Sequence, residues 1–389
     1  MSFAAIICAS KPSSDSGGGL RAGLHFAGQS LVEYQARQAS RAGADAVLIL
    51  VSAVTPPLSQ AIDRLSADGI AVTLIRDMVT LVREAPRDRD MLLVADGAAV
   101  AQSYFTAIAE QAGNALLVTD DSRASAPFER IDAGQRWAGL ARVTPDLLFG
   151  TLDMIGDWDL ELTLVRAAVQ AGARRVTVPQ DDLLEGRVAL VEGQQQADLA
   201  AQAAVNGAAG TGRPLEGGID HYLLAPIARR IAPILMRGQV PATQTRIAGI
   251  ALAAIGLVPI QLGWPATGLL VLLVSLVLHL TADRLEDMAL RARRRGAIAF
   301  AVPALVLAGI GLTDGFTVLY LILLLGILMV AVRLVRVGEA RPWMLFTPGS
   351  AALLLLAASL VGSLPEGLML SMLAAISSIG LIILRARSA

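Results

Sequence analysis

Asp283, Glu286 and Asp287 place three carboxylates within five residues, and Arg291 follows four positions later, in the stretch "LHLTADRLEDMALRARRRG" (278–296). Oxygen ligands at this density are what Mg²⁺ takes, in near-octahedral sets completed by water. The same residues also have a purely structural reading. Asp283 and Asp287 stand four apart, as do Asp287 and Arg291, so they line one helical face and can pair locally. The stretch closes an apolar run, where an unpartnered charge is unfavourable, so its carboxylates are expected to face a polar cavity rather than lipid. His279 is a candidate base only if its ring faces that cavity, and a lone histidine in such a place is more often structural.

A second set of residues suggests phosphate chemistry. In "SKPSSDSGGGLR" (10–21), Gly17, Gly18 and Gly19 can present backbone N–H groups to an anion, with Arg21 adding charge. The G-x-x-x-x-G-K-[ST] pattern of a P-loop is absent, and a glycine cluster is also what an ordinary flexible loop contains. "LLVADG" puts Asp96 at the end of a strand, where open α/β sheets bind ligands, so Asp96 is either a Mg²⁺ ligand or a helix cap. In "DWD" (157–159), Asp157 reads as an N-cap of the helix that follows.

The elements that must position these groups divide the 389 residues into two halves. "FAAIICA" (3–9) and "AVLILV" (46–51) are short, continuous and apolar, as buried parallel strands are. Further strands are expected at "GIAVTLI", "DMLLVAD", "ALLVTD" and "RRVTVP", with helices between them, including 101–112 and 159–171. That alternation predicts a parallel, doubly wound α/β domain over residues 1–215. Its last segment, 193–215, reads as a helix running into a linker. Cys8 is the single cysteine, which excludes an intrachain disulfide framework and a multi-cysteine zinc site. Lys11 is the single lysine.

Residues 246–389 read as an all-α membrane domain. Six apolar stretches, 246–263, 265–282, 296–313, 315–334, 343–363 and 366–384, are each close to the ~20 residues a spanning helix needs. Arginines gather ahead of the first, in the second and fourth connections and in the tail, whereas "QLGWP", "TDG" and "LPEG" carry none. The positive-inside rule then puts both termini in the cytoplasm. In the connecting segment 216–245, Leu223, Ile227, Ile231 and Leu235 recur every four residues, the pattern of a helix lying in the membrane interface with its arginines near anionic headgroups. No basic, apolar and cleavable leader opens the chain, so a secretory signal peptide is not expected.

Two family resemblances follow from these motifs. Residues 3–51 resemble the start of the sugar-phosphate nucleotidyltransferases of GT-A-like fold. Gly17, Gly19 and Arg21 match the G-x-G-x-R loop, and "AGQSLVEYQARQASRAGADAVLILV" is similar to the helix and strand that follow it. The loop comes several residues late and Lys11 precedes the glycines, where the family places its lysine after them. Asp96 falls where that family keeps a metal-binding aspartate. Residues 219–384 resemble the CDP-alcohol phosphotransferases, whose signature is D-x-x-D-G-x-x-A-R followed by G-x-x-x-D-x-x-x-D. Asp283 and Arg291 match that signature, while Glu286 replaces the second aspartate, Asp287 the glycine and Leu290 the alanine. The last two aspartates become Phe300 and Ala304.

These resemblances imply a bacterial inner-membrane protein of phospholipid head-group synthesis. The first domain would load a phosphorylated alcohol with a nucleotide, and the second would transfer the phospho-alcohol to a lipid hydroxyl. Mg²⁺ is the implied cofactor, with Asp96, Asp283 and Glu286 as ligands. The implied partners are the bilayer, a CDP-alcohol or nucleotide and a second copy of the chain, and nucleic acid is not among them. The degenerate signature favours an alternative, a catalytically reduced relative that scaffolds or regulates an active enzyme. A transporter ranks below both, because the spans hold few internal charges. The arginine asymmetry leads us to expect a cysteine placed at residue 387 to resist impermeant thiol reagents in intact cells, and external labelling there would refute the topology.

Overall fold

The computed structural model of the chain describes residues 3–15, 18–153, 159–211, 219–237, 240–290, 306, 309–311, 315–335 and 345–388. Two compact units emerge, Met1–Gly210 with Met288–Arg291, and Thr211–Asp287 with Ala292–Ala389.

The first unit begins with β1 (Phe3–Ala9), the short pair β2 (His25–Phe26) and β3 (Gln29–Ser30), α1 (Leu31–Arg41) and β4 (Ala44–Val51). Next come α2 (Pro56–Ala67), β5 (Val72–Ile75), α3 (Met78–Glu84), β6 (Met91–Val94), β7 (Ala98–Val100) and α4 (Gln102–Ala109). The chain continues through β8 (Ala115–Asp120), β9 (Glu129–Arg130), β10 (Gln135–Val143), α5 (Pro145–Leu152) and α6 (Leu160–Gln170). It closes with β11 (Arg174–Thr177), α7 (Gln180–Leu184), β12 (Val188–Leu190) and α8 (Gln194–Thr211).

The main sheet has the order β11-β8-β10-β6-β1-β4-β5, with β9 paired to β10. β1 lies in parallel between β4 and β6, and every residue of β1 and β6 is buried, as expected of strands covered on both faces. From β1 the chain winds outward through β4 and β5, then crosses back to place β6 on the other side of β1. The reversal creates a topological switch point at β1 and β6, where doubly wound sheets bind ligands beyond the carboxyl ends of the strands.

All six strands expected from the sequence are present, but the sheet is mixed rather than wholly parallel. β10 runs antiparallel between β6 and β8, in a place the sequence pattern does not announce. In "QRWAGLARV" the apolar residues are interrupted by Arg136, Gly139 and Arg142. The structure accommodates each interruption. Pairing with β8 shifts register between Trp137 and Ala141, and Gly139 takes φ +89° in that irregularity. Arg142 is buried, with its Nε donating to Asp90 at 2.9 Å and its guanidinium 5.7 Å from the centre of the Phe3 ring, so its charge does not enter the core unpaired.

In the second unit, a π-helical turn (Asp220–Leu224) leads into α9 (Ala225–Arg237), followed by α10 (Ala242–Gln261), α11 (Pro265–Met288), α12 (Phe316–Val335), α13 (Pro348–Val361) and α14 (Leu364–Ser388). Among the described residues, three helices are long and apolar enough to cross a membrane, Ala242–Gln261, Pro265–Met288 and Leu364–Leu384. Val318–Ala331 and Pro348–Val361 are shorter apolar helices. The stretch expected to span at 296–313 lies almost entirely outside the described residues. Ile247, Ile255, Val258, Leu323, Leu360, Leu373 and Leu384 are all exposed, an outward apolar surface that suits hydrocarbon and not water.

α9 buries small residues and leaves part of the expected interfacial stripe outward. Ala225, Ala228 and Ala232 are its buried side chains, while Leu223 and Ile227 of the expected stripe are exposed. Small residues pack inward and large apolar ones project outward, as a helix half-immersed in an interface would arrange them.

Gly97, immediately after Asp96, has φ +82°, and a Cβ there would meet Val191 O at 2.5 Å. Backbone strain of this kind costs on the order of 1–3 kcal/mol. Gly97→Ala is therefore expected to lower the melting temperature clearly, whereas Gly134→Ala, where a Cβ would meet open space, should leave it almost unchanged. Equal melting temperatures for the two variants would refute this account.

Candidate functional site

At the switch point, the chain leaves β1 through Ser10 and Lys11, and Asp96 lies two residues beyond the end of β6. Asp96 Oδ2 accepts the backbone N–H groups of Ser10 at 2.6 Å and Lys11 at 2.5 Å, tying the two strand ends together. The Asp96 N–H donates to Glu161 Oε1 at 3.0 Å, and Lys11 Nζ donates to Glu161 Oε2 at 2.8 Å. Asp159 completes the group at 3.9 Å from Lys11 Nζ. Asp159 also caps α6, its Oδ1 accepting from the Glu161 and Leu162 N–H groups. The cap expected at Asp157 thus belongs to Asp159, and Asp157 itself lies outside the described residues.

Beside this group is a cavity of about 410 Å³ lined by Cys8, Ser10, Lys11, Ser52, Arg76 and Glu161, among others. Its lining comes from the carboxyl ends of β1, β4 and β5 and from the start of α6, and it includes two cationic side chains, Lys11 and Arg76. Burial pushes the Asp96 carboxyl up to about 6, and the charge of Glu161 adds to the effect against the two backbone donors. Asp96 Oδ1 is buried and has no hydrogen-bond partner. Burial works against the Lys11 ammonium, but Glu161 and Asp159 outweigh it and hold its pKa above the usual lysine value. Burial, followed by Glu161 and Asp96, drives the Cys8 thiol well above its ordinary value, so it is no nucleophile.

The glycine loop folds back on the protein. Ser13 N–H donates to Gly19 O at 2.7 Å, Ser14 N–H to Glu192 O at 2.7 Å and Gly18 N–H to Asp15 O at 3.4 Å. The Arg21 guanidinium pairs with Glu192 at 2.8 Å and also donates to Pro12 O, while its stem packs near Gly97. Gly17 lies outside the described residues. Sequence reasoning passed over Lys11 as a site residue because it precedes the glycines, and it missed Glu161 altogether. The available signal was an acidic residue in the first turn of a helix, opposite the chain's single lysine.

In the membrane unit, Asp283 and Glu286 occupy the last turns of α11 and meet Arg246 from the first turns of α10. One guanidinium nitrogen of Arg246 donates to Glu286 Oε1 at 2.9 Å, and the other donates to Asp283 Oδ1 at 2.7 Å and Glu286 Oε2 at 2.9 Å. Arg246 and Glu286 are both buried. Asp287 is half-buried on the same helix, and Arg291, Phe300 and Ala304 lie outside the described residues. One turn before Asp283, the His279 ring packs on α10 where Gly249 leaves room, since a Cβ there would fall 2.6 Å from the ring. His279 Nδ1 is 2.8 Å from the carbonyl of Ser275, which can only accept, so Nδ1 carries the proton. Nε2 is then a buried acceptor with no partner.

The two sites differ in what they offer a divalent cation. Around Asp96, a free buried oxygen and the partly exposed Asp159 suit a hydrated Mg²⁺, which typically takes one or two carboxylates, waters and substrate phosphates. In the membrane unit, a guanidinium already binds three of the oxygens such an ion would need, so that set does not fit one. Among the described residues, no group of three or more His, Cys, Asp or Glu side chains could hold a metal.

The first unit is similar to solved nucleotidyl-transferring proteins. A nucleotidyl transferase from Methanothermobacter aligns over 53% of this chain and 98% of its own, at 17% identity and a TM-score of 0.38. The inositol-1-phosphate CTP transferase from T. maritima aligns over 44% of this chain and 83% of its own, at 16% identity and a TM-score of 0.35. No family model and no curated protein matches the chain.

Because the Asp96 pKa is raised in the folded state, its contribution to stability is fully present below the ordinary carboxylate pKa and is lost as pH rises through about 6. Thermal melts of the full chain without divalent ions should therefore show stability falling between about pH 4 and about pH 6. In Asp96→Asn this slope should flatten, and parallel profiles for the two proteins would refute the assignment.

Proposed function

We propose that the first unit is a nucleotidyltransferase-type module that takes a nucleoside triphosphate, CTP by the family resemblance, into the cavity above β1. The membrane unit would hold it at a bacterial cytoplasmic membrane, with both termini on the cytoplasmic side, in phospholipid head-group synthesis. The observation that carries this reading is the Asp96–Lys11–Glu161 ring at the topological switch point, with a free carboxylate oxygen and two cationic side chains in the cavity lining.

In the reaction, an oxygen of a phosphorylated alcohol attacks the α-phosphorus and pyrophosphate leaves. Asp96 and Asp159 would hold Mg²⁺, which supplies charge neutralisation to the phosphate oxygens when bound. Lys11 would turn from Glu161 and Asp159 towards the phosphates, where an ammonium stabilises the charge that develops on the leaving group. Arg76 would steer the triphosphate from the cavity lining, and the buried surround of Asp96 excludes water from that side. The high pKa of Asp96 means that ionising it for the metal competes with protonation at mildly acidic pH.

For the membrane unit, the catalytically reduced reading is favoured over an active phosphotransferase. Arg246 satisfies the carboxylates that would have to bind metal. The unit then serves as an anchor with inherited architecture, in which Asp283 and Glu286 are structural.

The test is binding and turnover by the full-length protein in detergent. Millimolar CTP with Mg²⁺ should raise the melting temperature by linkage. Lys11→Ala and Asp96→Asn should weaken the apparent affinity by ten-fold or more, while Arg21→Ala, at a side chain already paired with Glu192, should change it less. Pyrophosphate release should require a phosphorylated alcohol, and CMP release from CDP-alcohols should stay at background in both wild type and Asp283→Asn. Absence of any nucleotide-dependent shift would remove the first reading, and robust CMP release abolished by Asp283→Asn would remove the second.

A further inference from the structure

We propose that the membrane unit contains a site for one anionic phospholipid, with an acyl chain in a groove between the π-helical turn, α13 and α14 and the phosphate on Arg229. The groove has a volume of about 460 Å³ and is lined mainly by apolar side chains, including Tyr222, Phe346, Leu354, Ala374 and Leu381. That is within the ~300–1,000 Å³ typical of small-ligand sites. Two walls come from apolar helices, one of which, Leu364–Leu384, is long and apolar enough to cross a membrane, so on the membrane reading of this unit hydrocarbon borders the groove. Two of its serine hydroxyls are already engaged. Ser350 Oγ accepts from the Ile219 N–H at 3.4 Å, and Ser378 Oγ from the Phe346 N–H at 3.1 Å. What remains suits a hydrocarbon chain better than a polar solute.

The headgroup end follows from helix geometry. Tyr222, at the groove, and Arg229 stand seven residues apart on the continuous helical stretch formed by the π-helical turn and α9. Arg229 and Arg230 are exposed, and beside them Tyr222, Leu223, Ile227 and Ile234 are 56%, 55%, 48% and 65% exposed. Guanidinium groups flanked by outward apolar side chains fit a helix lying among anionic headgroups. An arginine fork also matches phosphate oxygens in a bidentate way that an ammonium cannot. The ligand must therefore combine a long apolar tail with a negative head, which is the chemistry of a phospholipid of net negative charge. The inference rests on the chain's being a membrane protein and not on catalysis in either unit.

Native mass spectrometry of the detergent-purified full chain, incubated with phosphatidylglycerol or phosphatidylcholine, tests it. Wild type should retain one phosphatidylglycerol at least ten-fold more than phosphatidylcholine. Ser377→Trp and, independently, Ala374→Phe should fill the groove and abolish the adduct with helicity and melting temperature preserved. Arg229→Ala should reduce phosphatidylglycerol retention to the phosphatidylcholine level. Equal retention of the two lipids by wild type, or an undiminished adduct in a folded groove-filling variant, would overturn the proposal. The CTP-dependent melting shift should be unchanged in all three variants, so loss of nucleotide binding and loss of lipid binding are separate results.

Discussion

The Asp96 carboxylate is the point on which the first unit's site depends. β1 and β6 end side by side, and the two N–H groups that follow β1 would be costly if left buried and unpaired. Asp96 Oδ2 accepts both donors, so the ends of β1 and β6 become one surface. Lys11 provides one of those N–H groups and is thereby directed so that its ammonium reaches Glu161. Glu161 in turn accepts the Asp96 N–H, and the ring closes through α6. A single network thus fixes two strands and a helix and leaves one carboxylate oxygen over. Gly97 permits the tight exit from β6, and Gln35 of α1 donates to the carbonyls of Ala95 and Ala98 to hold that turn from behind.

The two units handle buried charge differently. Around Asp96 three carboxylates share one ammonium, and burial, with the charge of Glu161 adding to it, pushes the Asp96 carboxyl up to about 6. Such a site gains from a further cation, which is why it can be read as functional. In the membrane unit, Arg246 lies between Asp283 and Glu286 with both sides of its fork used. Removing Arg246 there would strand the buried Glu286 carboxylate, a loss larger than the pair's net contribution to stability. A strained balance invites a ligand, whereas a satisfied one resists it.

Much of the architecture is legible in the sequence because it is carried by local patterns. The apolar runs of β1, β4 and β8, the helical spacing of α1 and the composition change after residue 215 each depend on residues close together in the chain. β10 was not legible, because its pattern is broken by residues whose partners lie far away. Arg142 is tolerated only because Asp90 is beside it, and Gly139 only because the pairing with β8 shifts there. The candidate site divides in the same way. Asp96 could be picked out from its place at a strand end. Glu161 could not, because it is brought to Lys11 by the return of the chain 150 residues later. The glycine loop shows the complementary case. Its composition advertises free N–H groups, whereas Ser13, Ser14 and Gly18 already donate to the protein.

Arg246 lies outside the catalytic signature, so comparing Asp283 and Glu286 with a motif says nothing about it. Its effect is nevertheless decisive for what those carboxylates can do. A metal ion's occupancy depends on its concentration, and it leaves part of its coordination shell for substrate oxygens. A covalently tethered guanidinium is always present, and its hydrogen bonds here are spent on the carboxylates themselves. Arg246 thus makes two acids tolerable among apolar helices, with its hydrogen bonds directed at them. Conversely, His279 keeps a free acceptor at Nε2 one turn away, with its tautomer set by Ser275 O. A group able to accept a proton therefore lies one turn from carboxylates whose oxygens face a guanidinium.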